Sequence, residues 1–447
     1  METRSAGTAF LDALDERARE ISAACTRCGK CYQVCPMPKA GDAGAEDAGA
    51  VVGGVLDLIA NGTGDARAER WARSCSSSGD CLSACDYGVN PRFMLALARL
   101  ALQRKRQSAS ACRATGRKAF DAMSRGVRVL SRLQLSPGQL RRLGELPQGD
   151  EPRNPDIVFY TGCNVLKTPH IALLCLDVLD ALGVSYRVMG GPAHCCGVLQ
   201  LRAGDGGTSG RLAYSTIEGL AVCNTAEVLA WCPSCQVQLG EVALPTYARS
   251  AGGEPFDLVP FVVYLARRLD ELRPKLVHAV PKRVALHEHA GVPGVTTAVR
   301  RILESVPELE LVDLAQPQTG LMCATLGATP ELKRGLHAQL LEAAEAAGVT
   351  TLAGIYHACH RDLCAHEAEW PFDVVNFMEL VGAALGVSRP DLFKRLKLRQ
   401  DVDAILADSR DRIERYELPL DEVRAVVARD LLGEQPLPLG RKASPGG

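Results

Sequence analysis

Four cysteines at Cys25, Cys28, Cys31 and Cys35, with Pro36 directly behind them, constrain this chain more than any other feature. Their spacing is C-x2-C-x2-C-x3-C-P. Three thiolates in one tight loop reach three irons of a single cubane, and the fourth, carried away on the next turn, reaches another cluster. A structural zinc site needs only four thiolates, normally in two separated pairs, so the run specifies iron–sulfur ligation.

The same run occurs in bacterial ferredoxins. Residues 75–85 repeat its frame with Cys75, Cys81 and Cys85, but Ser78 stands at the second cysteine and Asp86 where the proline belongs. If ligands cross between the loops as in two-cluster ferredoxins, Cys25, Cys28, Cys31 and Cys85 hold one [4Fe-4S] cluster. Cys35, Cys75 and Cys81 then hold the other, one corner short. That second site admits a [3Fe-4S] cluster, a [4Fe-4S] cluster completed by an oxygen of Ser78 or Asp80, or no cluster.

Composition supports bound metal over disulfides. The 18 cysteines are about 4% of 447 residues, below the ~8–10% of disulfide scaffolds, and they are clustered. Met1 to Ser22 carries acidic residues and no apolar core, so a secretory signal is not expected and a reducing, cytoplasmic setting is. With 51 Lys+Arg against 52 Asp+Glu, nucleic acid is excluded as the main partner. The best apolar run, Ile171 to Val184, is broken by Asp177 and Asp180 and falls short of the ~18–20 residues that span a bilayer.

Along the chain, Phe10, Leu11 and Leu14 mark an amphipathic helix over 1–20, and a helix is expected from Pro91 to Gln103. Residues 99–145 hold twelve Lys/Arg against two Asp/Glu. They read as a solvated helical linker or as a docking face for an acidic partner. The stretch LPQGDEPRNP at 146–155 marks a domain boundary. Beyond it come a strand at Ile157–Tyr160, a helix at His170–Leu182 and a strand at Ser185–Met189, the order of an α/β unit with a parallel sheet. That order returns with strands at Val284–Leu286 and Leu309–Leu314 around a helix at Val295–Ser305. Pro255–Phe256–Asp257–Leu258–Val259 with Phe261 echoes Pro371–Phe372–Asp373–Val374–Val375 with Phe377, so 155–270 and 280–385 read as two copies of one module. Asp391–Leu432 reads as a helical appendix and Glu434–Gly447 as a loose tail.

In the first module, Cys163 follows a strand, Cys195–Cys196–Gly197 lies further on, and Cys232–Pro233–Ser234–Cys235 closes the set. Adjacent cysteines point in different directions, so a Cys-Cys pair bridges two irons, and Gly197 lets the backbone approach inorganic sulfide. Isolated Cys112, Cys175 and Cys223 read as core thiols.

C-x31-CCG-x34-C-x2-C, followed by an eroded copy and preceded by a double ferredoxin motif, resembles the cysteine-rich CCG family. That family includes heterodisulfide reductase and the iron–sulfur subunits of anaerobic glycerol-3-phosphate dehydrogenase and glycolate oxidase. The resemblance covers roughly residues 20–385. It implies that Cys163, Cys195, Cys196, Cys232 and Cys235 ligate a noncubane [4Fe-4S] cluster and form the catalytic set. In the second module Cys359 matches Cys235, Cys323 matches Cys196, Tyr356 matches Cys232, Met322 matches Cys195 and Ala290 matches Cys163. Two of five ligands survive, with His287, His289, His357, His360 and Cys364 nearby. What is left, with His289, Cys323 and Cys359 as candidate ligands, is either a mixed N/S site for zinc or iron or a vestigial site kept for structure or as a pocket.

The expected fold is α/β: an N-terminal helical ferredoxin-like domain (1–105), a basic helical linker (106–154), two tandem duplicated modules with parallel sheets (155–279 and 280–388), and a helical appendix with a flexible tail (389–447). The expected function is an electron-transfer subunit of an iron–sulfur oxidoreductase. No Gly-rich dinucleotide loop or P-loop is visible, so flavin or nicotinamide is assigned to a partner, a flavoprotein dehydrogenase or an electron-transfer flavoprotein. Peripheral membrane association through such a partner stays open. A heterodisulfide reductase-like enzyme acting on a small thiol or disulfide, and a metal-stabilised interaction scaffold, are the alternatives.

Overall fold

Ile157, Val158, Phe159 and Tyr160 are all buried in strand β1 (Ile157–Tyr160). A continuous apolar run suits a parallel strand covered by helices on both faces. The computed structural model describes residues 5–39, 47–146 and 154–437. In it β1 pairs in parallel with β2 (Tyr186–Met189) and β3 (Glu227–Ala230), and β3 pairs with β4 (Asp257–Pro260), in the order β2-β1-β3-β4. A second parallel sheet, built from β5 (Arg283–His287), β6 (Glu310–Val312), β7 (Thr351–Gly354) and β8 (Asp373–Asn376), has the equivalent order β6-β5-β7-β8. Among the described residues the molecule is therefore α/β with two four-stranded parallel sheets.

The strand order positions the site. From β1 the chain moves outward to β2, then crosses back to β3 on the other side, so the loops at the carboxyl ends of β1 and β3 diverge and leave a crevice. The same holds between β5 and β7. The cysteine loops 161–163, 190–197 and 231–235 all leave carboxyl ends of the first sheet.

Ahead of the sheets the described chain is helical. Helix Ala6–Ala24, capped by the Ser5 side chain, runs past the expected end at residue 20 straight into Cys25. Helices Ala48–Asn61, Ala66–Ser74 and Pro91–Arg106 pack on one another, the last started by an Asn90 cap with Pro91 behind it. The first helix lies on helix Gly206–Ala221, where Gly7 meets the Gly207 carbonyl and Gly210 makes room for Phe10.

Two expectations change. Helix Ala109–Gln134 is no solvated linker, because Cys112, Met123, Val127, Val129, Leu130 and Leu133 are buried along it. A 26-residue helix with an apolar stripe this long must be covered, and it packs on the first module and on the C-terminal helices. Part of the basic segment meets acids of its own chain: Arg128 pairs with Glu422, and Arg142 with Asp177 at 2.7 Å. The start of the expected tail is also held, since Lys397 Nζ donates to the Glu434 carbonyl at 2.7 Å and Arg361 pairs with the Glu434 carboxylate. Residues 438–447, and 147–153 of the Pro/Gly-rich stretch, lie outside the described residues. Among the described residues no helix is long and apolar enough to cross a membrane.

Candidate iron–sulfur and metal centres

The two N-terminal cysteine loops have the same backbone. Arg27 and Ser77 both adopt φ 59°, and Gly29 and Gly79 follow at φ 79° and 89°. Short helices Lys30–Gln33 and Asp80–Ser83 then lie against each other. Ser78 thus takes the place in its loop that Cys28 takes in the first. It is buried.

The thiols fall into two groups. Cys31 is pushed up to about 12 by burial and by the neighbouring Cys25, Cys28 and Cys85. Cys81 is pushed up by burial and then by Cys75 and Cys35, while Arg92 acts in the opposite sense. Cys35 is raised by burial, and the Trp71 Nε1–H, donating to its sulfur at 3.4 Å, opposes that. Asp80 stands near Cys35. Buried thiols pressed together resist ionisation alone, and a cation that accepts thiolates removes that penalty, so both groups fit bound iron.

The five cysteines of the first sheet form one chain of sulfur contacts: Cys163 with Cys195, Cys195 with Cys196, Cys196 with Cys235, and Cys235 with Cys232. All five are buried. Hydrogen bonds from the Cys163 and Cys196 thiols and the Gly197 N–H hold Cys195 down to about 4. Gly162, at φ 69°, leaves the space they share: a Cβ there would stand 2.8 Å from Cys232 Cβ and 3.0 Å from Cys235 Sγ. Cys112, Cys175 and Cys223 are buried elsewhere in the core.

At the second sheet the structure gathers His287, His289, Cys323 and Cys359, whose donor atoms all lie within 4.8 Å of one another. His287 Nε2 is 3.1 Å from Cys323 Sγ, and His289 Nε2 is 3.2 Å from Cys359 Sγ. His337, on helix Pro330–Ala346, brings Nε2 to 3.3 Å from Cys323 Sγ. Sequence reasoning missed His337, which lies 14 residues from its partner with no motif joining them. His357, His360 and Cys364 stay outside this group. His360 Nε2 faces Asp391 at 2.6 Å, beside the His170 ring, and the Cys364 thiol is buried near Lys397.

The centres adjoin one another. Arg92 donates to the carbonyls of Ser77 at 3.1 Å and Gly291 at 2.7 Å and also pairs with Glu241. The Leu321 N–H donates to the Ser76 carbonyl at 3.0 Å. The Arg202 guanidinium lies within electrostatic reach of Cys196, Cys75 and Cys232. Tyr356 feels both Cys359 and Cys232.

The cysteine-rich domain (CCG) family matches residues 157–240, the stretch that holds all five thiols of the first sheet. The chain carries this domain. It is 25% identical over 331 residues to a subunit of the dihydromethanophenazine:CoB–CoM heterodisulfide reductase of Methanosarcina mazei, covering 70% of this chain and 78% of that protein. The corresponding subunit from Methanosarcina barkeri is also 25% identical, over 52% of this chain and 60% of its own length. A subunit of the fumarate reductase (CoM/CoB) of Methanothermobacter marburgensis is 25% identical over 80% of this chain and 72% of its own. No solved structure matches the chain significantly.

Proposed function

We propose that this chain is an iron–sulfur electron-transfer subunit of a multi-subunit oxidoreductase. In this reading Cys25, Cys28, Cys31 and Cys85 hold a [4Fe-4S] cluster, and Cys35, Cys75 and Cys81 hold a [3Fe-4S] or [4Fe-4S] cluster beside Ser78. Cys163, Cys195, Cys196, Cys232 and Cys235 hold a noncubane cluster in the first of two duplicated modules. One observation carries the reading: Cys31, Cys35 and Cys81 of the N-terminal domain are buried in the same core cluster as Cys196, Cys232 and Cys235 of the first module. Clusters bound at thiols that share one core would lie beside one another, as single-electron exchange between them requires.

Bound clusters supply one-electron chemistry. The chain's own residues ligate them, exclude water and set their charge environment. The Trp71 Nε1–H at Cys35 and the Arg92 guanidinium near Cys81 both favour added negative charge on that cluster. A flavoprotein dehydrogenase or electron-transfer flavoprotein is the proposed exchange partner.

The similarity to a heterodisulfide reductase favours a second reading, in which the first module cleaves a small disulfide to two thiols with two electrons and two protons. The test begins with iron and acid-labile sulfide per chain on anaerobically purified protein, where three clusters predict about eleven to twelve irons. Cys196→Ser is expected to lose about four irons while the N-terminal paramagnetic signals stay; unchanged iron would remove Cys196 from any cluster. A first-module signal that shifts on adding a thiol or disulfide selects the reductase reading, and indifference selects the electron-transfer subunit.

A further inference from the structure

The second module departs from the first in a way that changes the metal. The parallel ladders align Ile157 with Glu227 in the first sheet and Val284 with Thr351 in the second. Counting along β1 and β5 from Ile157 and Val284, Tyr160 corresponds to His287, Gly162 to His289 and Cys163 to Ala290. Counting along β3 and β7, Cys232 corresponds to Tyr356 and Cys235 to Cys359. The glycine that leaves room among the first module's thiols is thus a histidine in the second. The His289 imidazole reaches the thiol of Cys359 at 3.2 Å, where a cluster would need space.

We propose that His287, His289, Cys323 and Cys359 form a mononuclear tetrahedral zinc site, in place of an iron–sulfur cluster. Four neutral or thiolate donors of this kind are a common closed zinc set. The donors interleave: His289 Nε2 lies 3.2 Å from Cys359 Sγ and 3.6 Å from Cys323 Sγ, and His287 Nε2 lies 3.1 Å from Cys323 Sγ. A two-iron centre with two Cys on one iron and two His on the other would hold nitrogens and sulfurs apart across its sulfides. One ion does not.

The surroundings are arranged as around a metal-ligating imidazole. His289 Nδ1–H donates to the Thr319 carbonyl at 2.9 Å, which leaves Nε2 with its lone pair facing the thiols. His337 Nε2, 3.3 Å from Cys323 Sγ, is placed to donate to that sulfur as a thiolate. The cysteine sets on which the iron–sulfur reading rests share no residue with this site, so the readings fail separately.

The experiment is zinc, iron and sulfide per chain on the full-length protein purified anaerobically without chelator, followed by zinc-edge X-ray absorption. About one zinc per chain with two sulfur and two nitrogen scatterers is expected. Cys359→Ser is expected to lose the zinc and keep its iron, and Cys196→Ser to lose about four irons and keep the zinc. Only trace zinc in the wild type, a scatterer set without nitrogen, or loss of iron in Cys359→Ser would overturn the assignment. The wild-type absorption spectrum decides even if a variant does not fold.

Discussion

Single residues set the donors that each cysteine loop offers. Ser78 sits in a loop whose backbone copies that of Cys28, so the thiol it lacks is the only donor missing from the Cys35, Cys75 and Cys81 group. Ser78→Cys should therefore complete a four-iron cubane. The gain is about one iron if the native cluster is [3Fe-4S], with a changed paramagnetic spectrum; an unaltered spectrum would place Ser78 away from any cluster. Gly162 is the opposite case, a residue needed for what it omits. Gly162→Ala adds a methyl 2.8 Å from Cys232 Cβ at φ 69°, combining left-handed strain of ~1 kcal/mol with a clash against the Cys232 and Cys235 side chains. Loss of the first-module irons with the N-terminal signals intact is expected, and full iron content would show that the thiols yield.

At the scale of elements, the N-terminal cysteine loops are held on the first module by a helix crossing built on glycines. Gly210 lies inside helix Gly206–Ala221, where alanine would normally gain ~1 kcal/mol. Here a Cβ would stand 2.3 Å from Phe10 Cβ, so overpacking of about 1–3 kcal/mol outweighs that gain. Gly210→Ala is thus expected to lower the thermal midpoint; a stabilised variant would show that helix Ala6–Ala24 shifts freely. The strands show where sequence patterning works and where it stops. Ile157–Tyr160 is legible because four apolar residues in a row suit a strand with both faces covered. Glu227–Ala230 and Thr351–Gly354, equally central, do not stand out, because each carries a polar or small residue at an end.

For the molecule as a whole, the appendix and the sheets are joined by buried charges. Burial pushes Glu434 up, but Arg361 and Lys167 outweigh it and hold the carboxylate down to about 2, against an ordinary 4.5. Because the folded value lies below the unfolded one, this stabilisation is full above about pH 4.5 and is lost as the pH falls towards 2. Glu434→Gln removes the carboxylate from buried Arg361 and leaves buried Lys167 with Asp430 alone, at 3.5 Å. A loss on the order of 2–3 kcal/mol at pH 7 and a higher midpoint pH of acid unfolding by circular dichroism are expected. Coincident acid transitions for wild type and variant would remove this pair as a cause.

Spacing along the chain determined the cysteine loops, because ligands of one cluster drawn from one tight loop must lie close in sequence. It also determined the α/β class, since apolar runs and helical periodicity are local. Which loops meet was decided only by the tertiary structure. His287 and His337 approach Cys323 through a strand end, a loop and a helix that no short motif connects, whereas His360 and Cys364, near Cys359 in sequence, point elsewhere. The burial of the basic helix likewise depended on partners far along the chain, among them Glu422, which pairs with Arg128. Long-range contacts come from packing apolar faces and pairing buried charges, and a linear sequence records which residues need partners without recording where those partners stand.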